Sequence, residues 1–257
     1  MLIDSHCHLN DERLLPNLDE ILVRAKAKNV SGFLAIGCKL EDFEIVLKIA
    51  EKYHNFWASL GIHPAEADEQ NPSYETLLPF YNNQNVIGIG ECGFDFYYAD
   101  KKRDFKRQKE LFLTQIHLAQ KFQKPLIIHT RDAEKETQEI LESEYKNKPF
   151  QAIMHCYTGT WDLARKMLDL GFYFSASGVI TFKKANELRE IFSKIPTDRL
   201  LVETDAPYLS PEPYRGKICE PSFVFETAKK LAEIKKTSFE NMANKTTKNF
   251  KKLFSLH

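Results

Sequence analysis

Eight short apolar runs, each followed by a longer polar or amphipathic segment, pace this chain from end to end. They fall at residues 2–6, 33–37, 56–62, 86–91, 125–129, 151–155, 172–176 and 199–204. Each has strand length and is rich in Ile, Val, Leu and Phe, while segments such as 104–123, 133–147 and 161–170 repeat their apolar residues at helical spacing. Asp104 and Asp162 are placed as N-caps of the first and third of these helices, and Gly171 stands just past the end of the third. Eight strand–helix units in 257 residues is the pattern of an α/β protein built as a (β/α)8 TIM barrel. An open doubly wound sheet competes, but it commonly carries a glycine-rich phosphate loop after its first strand. Here that strand runs into HCHLNDE. No Pro/Gly linker or low-complexity segment divides the chain, so a single domain over 1–257 is expected.

Composition narrows the function classes. No apolar run approaches the ~20 residues that span a bilayer, and the N-terminus has no basic region leading into an apolar one. A cytoplasmic protein without membrane contact is therefore expected, and no obligate protein partner is inferred. Five dispersed cysteines, none in a C-x-x-C, argue for reduced thiols over a disulfide framework or a zinc knuckle. Basic and acidic residues number 36 each, so net charge offers no general attraction to nucleic acid. The C-terminal residues 211–257 do carry 10 basic against 5 acidic side chains, which reads first as solvated helix faces.

The polar residues gather where the strands end. The chain opens MLIDSHCHLN, and strict alternation puts Asp4, His6 and His8 on one face and Ile3, Ser5 and Cys7 on the other. With Ile3 against the outer helices, both histidines face the C-terminal mouth, and Asp4 lies one step deeper as a buried supporter. The later strands end in His63, Glu91, His129, His155 and Asp205. Five of the eight histidines thus sit at strand C-termini, where barrel enzymes keep their chemistry. One such histidine would be an ordinary polar residue at the core edge. Five, with two carboxylates, call for a cation, because burying them together uncompensated costs several kcal/mol. His6, His8, Glu91, His129, His155 and Asp205 are too many ligands for one catalytic zinc. They suit two divalent ions (Zn, Mg or Mn), with Glu91 as the bridge.

In these residues the chain resembles the TatD-like metal-dependent deoxyribonucleases of the amidohydrolase superfamily. The likeness rests on DSHCHL, GIHP, GECGFDFYY, IIHTRDA, HCYTG, SGVITFKKA and ETDAPYLSPEPYRGK, in that order over nearly the whole chain. It implies a barrel whose metal centre hydrolyses phosphodiesters, with DNA or another nucleic acid as substrate. His6, His8, Glu91 and Asp205 would hold one ion, and Glu91, His129 and His155 the other. His63 would face the substrate phosphate, and Glu203 would orient a ligand histidine or a water from behind. Cys219 replaces the asparagine common before Glu220-Pro221, a departure expected to alter the substrate rim.

The reaction expected on this reading is attack by a metal-activated water, with Asp205 as general base beside Glu91. Arg131 and Arg215 are candidate phosphate contacts, each against an equal or nearly equal structural reading: a loop salt bridge and loop packing. Tyr97, Tyr98 and Tyr208 are rim aromatics for which packing is the better reading taken singly, and Cys7, Cys92 and Cys156 read as small buried residues. Neutral net charge suits an exonuclease on single strands better than a processive duplex binder. The rivals are the same centre acting on another ester, an amide or a lactone, aminoacyl-tRNA included, and a non-enzymatic metal-binding protein. Structural zinc sites prefer closed cysteine-rich sets, which weakens the last of these.

Overall fold

The computed structural model describes residues 1–97 and 101–256. Eight parallel strands pair in chain order: β1 Leu2–Cys7, β2 Val30–Gly37, β3 Phe56–Leu60, β4 Val86–Asp95, β5 Leu126–Arg131, β6 Ala152–Met154, β7 Tyr173–Ala176 and β8 Leu200–Val202. Just past β8 the sheet closes on itself. His8 donates its N–H to the Ala206 carbonyl at 2.8 Å, and Asp205 donates to the His6 carbonyl at 3.0 Å. The expected (β/α)8 barrel is found. Its helices are α1 Leu18–Ala27, α2 Leu40–Lys52, α3 Tyr74–Leu77, α4 Lys101–Phe122, α5 Glu134–Asn147, α6 Trp161–Asp169, α7 Asn186–Lys194, α8 Val224–Ile234 and α9 Phe239–Leu253. None of the helices described is long and apolar enough to cross a membrane.

Both expected N-caps are displaced. Thr160, with extended backbone, caps α6 by accepting the Leu163 N–H, which leaves Asp162 inside the first turn. There its charge still favours the positive helix end. Asp104 lies within α4 and is buried. Gly171 follows α6 at φ +80°, the left-handed position that glycine takes without strain.

The barrel interior is layered. Ile3, Leu34, Ile87, Ile127, Ile153, Tyr173 and Leu201, one from each of seven strands, pack with the partly buried Trp57 of β3. Phe250, Leu253 and Phe254 from the end of α9 cover the N-terminal opening. Each such large side chain stabilises the fold by about 1.5–3 kcal/mol on burial. Ile3 therefore lies inside the barrel, not against the outer helices: a Cβ added at Gly32 would meet Ile3 Cγ1 at 2.9 Å and Trp57 at 3.2 Å. Asp4, paired with Phe33, shares the outer face, as does Cys7, paired with Ala35. Between them β1 spends three residues where β2 spends two, and this bulge turns both Ser5 and His6 inward. Ser5 Oγ meets Ser175 Oγ across the interior at 3.1 Å. The histidines reach the mouth because alternation breaks there, not because it holds.

Candidate metal centre

A second bulge does the same for Glu91. Between Ile89 and Cys92, β4 advances three residues against two on β5, and Glu91 is delivered inward between two residues of the outer core. Gly90 permits the turn at φ +121°, with Ile127 O only 2.5 Å from where a Cβ would stand. Ligand-type side chains then converge from six strands. His6 and His8 come from β1, His63 from just beyond β3, Glu91 from β4, His129 from β5, His155 from just beyond β6, and Glu203 and Asp205 from the segment after β8.

Glu91 stands at the centre and divides its oxygens. Oε2 lies 3.2 Å from His6 Nε2 and 3.9 Å from His8 Nε2. Oε1 lies 2.8 Å from His129 Nδ1, 2.8 Å from His155 Nε2 and 3.4 Å from His63 Nε2. Asp205 Oδ1 completes the first group, 3.3 Å from His8 Nε2 and 3.7 Å from His6 Nε2. Donors about 2.0–2.2 Å from one tetrahedral cation stand about 3.3–3.6 Å from each other, and the distances in the first group, 3.2–3.9 Å, straddle that spacing. Both ring nitrogens of the fully buried His6 and Oε2 of Glu203 make no aligned hydrogen bond, although Glu91 Oε2 stands 3.2 Å from His6 Nε2. Leaving such atoms unpaired costs about 1–3 kcal/mol each, and a cation bound by imidazole and carboxylate is the partner this donor set fits.

The surroundings tune each group. Burial works to raise Glu91, but His155, His63 and His6 hold its carboxyl well below the usual carboxylate range. Asp205 is held low in the same way, by His8 and His6 against burial. His155 is pushed well above the ordinary imidazole value, since Glu91 and Glu203 outweigh the effect of burial. His129 is raised by Asp95 and Glu91, again against burial, whereas burial lowers His6 and His63. Burial pushes Asp4 up to about 8, over the opposing hydrogen bonds from Thr204. Those bonds, from the Thr204 N–H and hydroxyl, tie β1 to the end of β8 and make Asp4 a buried brace outside the barrel interior.

Several histidines have their second nitrogen engaged. His129 Nε2 is 3.1 Å from Asp95 Oδ2, and His155 Nδ1 is 3.3 Å from Glu203 Oε1, which also accepts the Cys156 N–H. His63 Nδ1 accepts the Ala65 N–H at 3.1 Å, so the proton of the neutral ring sits on Nε2, facing the site. Reading only the residue that ends each expected strand misses two neighbours. Asp95 escapes because β4 continues four residues past its expected end at 91, paired with β5 out to Arg131. Cys38 directly follows β2, a strand whose end offers no histidine or carboxylate.

The rim is less convergent. The exposed Arg131 lays its guanidinium 3.6 Å over Tyr97, and the exposed Arg215 donates to the Ser210 carbonyl and stacks 3.8 Å over Phe182. Tyr208 lies nearly perpendicular to His8, at 6.0 Å between ring centres, beneath the guanidinium of Arg13. Tyr98 lies outside the described residues. All five cysteines are free thiols; Cys7 and Cys92 are fully buried as expected, whereas Cys156, expected buried with them, is only partly so. Cys219 is fully buried too, under the segment after β8, so its side chain does not form part of the rim surface.

The sequence model of the family described as TatD related DNase matches residues 3–255. The chain belongs to the TatD family. Among its TatD relatives, the Bacillus subtilis "uncharacterized metal-dependent hydrolase YabD" is 38% identical, with all of both chains covered. The Escherichia coli K12 "uncharacterized metal-dependent hydrolase YcfH" is 39% identical over 99% of this chain and 96% of its own. The crystal structure of YjjV, a TatD homologue from Escherichia coli, superposes with a TM-score of 0.92 at 26% identity, covering 100% of this chain and 98% of the other. This TatD protein is a metal-dependent hydrolase, and the histidine–carboxylate groups at its barrel mouth, with Cys38 grouped beside His8 and Glu91, are those that could hold metal.

Proposed function

We propose that this hydrolase cleaves phosphodiester bonds of nucleic acid, DNA first and from the ends of single strands, with two divalent ions at the barrel mouth. The observation that carries the reading is the division of Glu91: one carboxylate serves two separate ligand groups, His6–His8–Asp205 and His129–His155. Ions held there would supply Lewis acidity and make a water nucleophilic near neutral pH. Asp205, kept ionised by His8 and His6, is the general base that takes the proton from the attacking water. His63 presents its Nε2–H to a phosphoryl oxygen, in keeping with the description "DNase" carried by the family. Arg131, the exposed last residue of β5, and Arg215, exposed in the segment after β8, are proposed to meet the backbone beyond the scissile phosphate.

Hydrolysis of a single-stranded oligodeoxynucleotide is compared with hydrolysis of an amide, a lactone and an aminoacyl ester, each with Mg²⁺, Mn²⁺ or Zn²⁺. Preference for the oligonucleotide, abolished by chelator, is expected. Faster turnover of the lactone or amide under every metal would reject the nuclease reading.

Glu203 is proposed as a positioning residue behind His155. Glu203→Gln keeps the shape but discards the charge that holds His155, and is expected to lower metal affinity about 10–100-fold in a folded protein. Unchanged affinity would remove the role. Metal binding is also expected to release protons. His155, His129 and His8 hold protons more tightly than a free imidazole, and a bound cation must displace them. Affinity should therefore rise with pH through the ordinary imidazole value of about 6.5 and go on rising above it, where these raised groups lose their protons. Calorimetry in buffers of different protonation enthalpy measures the release, and equal apparent enthalpies would contradict it.

A further inference from the structure

We infer that Cys38 is a positioning residue for His8, joining that histidine to Glu91 through its sulfur; the inference rests on His8 being a metal ligand through Nε2. Cys38 Sγ lies 3.8 Å from His8 Nδ1 and 3.6 Å from Glu91 Oε2. Both are hydrogen-bonding distances for sulfur, and they define one direction of donation. The carboxylate can only accept, so the thiol donates its S–H to Glu91. The sulfur is left as acceptor for His8 Nδ1–H. That arrangement requires the lone pair of His8 to sit on Nε2, which faces Asp205 Oδ1 at 3.3 Å and Glu91 Oε2 at 3.9 Å.

The backbone of Cys38 is fixed from both sides. Its N–H donates to Asp42 Oδ2 in the first turn of α2 at 3.1 Å, and its carbonyl accepts the His63 N–H at 2.8 Å. The thiol is thus aimed by two elements that themselves belong to the mouth. It also fills a role that His129 and His155 assign to carboxylates. Asp95 stands behind His129 and Glu203 behind His155, while the sulfur of Cys38 stands behind His8. Partners on the far nitrogen fix ring orientation and tautomer, and their loss typically weakens metal binding. A neutral sulfur orients the ring without adding a third negative charge beside Glu91 and Asp205.

The test uses the full chain loaded with Zn²⁺, with Cys38→Ala, Cys38→Ser and His8→Ala as variants. Zinc affinity is expected to fall about 10–100-fold in Cys38→Ala. The Nδ1–H proton of His8, slow to exchange in the wild-type protein, is expected to exchange rapidly in that variant, and Cys38→Ser, which keeps a donor and acceptor, to lie between. Wild-type affinity together with an unchanged His8 Nδ1–H signal in Cys38→Ala overturns the relay while leaving the metal reading intact. Wild-type zinc affinity in His8→Ala overturns the ligand assignment and the relay with it. A sulfur-to-metal charge-transfer band in the Co²⁺ form that disappears in Cys38→Ala overturns the relay in favour of direct ligation.

Discussion

Glu91→Ala is expected to abolish metal-dependent turnover, lowering it about a thousandfold or more, because groups that act as one constellation fail together. The carboxylate is the only side chain within 4 Å of ring nitrogens on His6, His8, His63, His129 and His155 among the described ion pairs. Removing it deletes a donor from both ligand groups and leaves His155 with Glu203 alone to favour its charged form. The protein is expected to remain folded, since the apolar layer and α9 lie at the opposite end of the barrel. Glu91→Gln keeps the volume and removes the charge, and should lose activity to a similar degree. Asp205→Ala is expected to follow Glu91→Ala. Circular dichroism checks the fold, and metal-saturated assays check the rate. Activity near wild type in either alanine variant would sink the assignment of that residue.

Gly93→Ala is expected to produce the largest loss of stability from a single methyl group. Gly93 pairs with His129 on β5 and holds φ +143°, a conformation an L side chain rarely adopts. A Cβ there would stand 2.0 Å from His129 O and 3.0 Å from its carbonyl carbon, both backbone atoms that no rotamer change can move aside. Backbone strain and overpacking together should cost about 3 kcal/mol or more. Urea unfolding with an unchanged slope and a lower midpoint is the expected result. The same displacement would draw His129 from Glu91, so weakened metal binding should accompany it. A wild-type midpoint would show that β4 and β5 can part here without cost.

Much of this was legible in the chain. Barrel strands buried on both faces read as apolar runs, and eight of them with intervening helices leave little choice of fold. Residues that end such strands must lie at one mouth, which brought His6, His8, His63, Glu91, His129, His155 and Asp205 together without any knowledge of distance. The faces of β1 were not legible. Alternation assumes an unbroken ladder, and a bulge is set by pairing with a neighbour distant in sequence, so Ile3 and Asp4 exchanged sides. The extent of β4 escaped for the same reason: its last residues, Cys92-Gly93-Phe94-Asp95, break the β-branched run, and they remain extended because β5 continues beside them.

By itself the sequence determined the barrel, the mouth and the residue types gathered there, because these follow from periodicity and from where each strand stops. Only the tertiary structure decided which oxygen of Glu91 faces which histidines, and that Asp95, Glu203 and the sulfur of Cys38 stand behind them. Those relations join strands far apart in the chain, through two bulges and a closed ring of backbone hydrogen bonds. The spacing of residues along one strand carries no record of them.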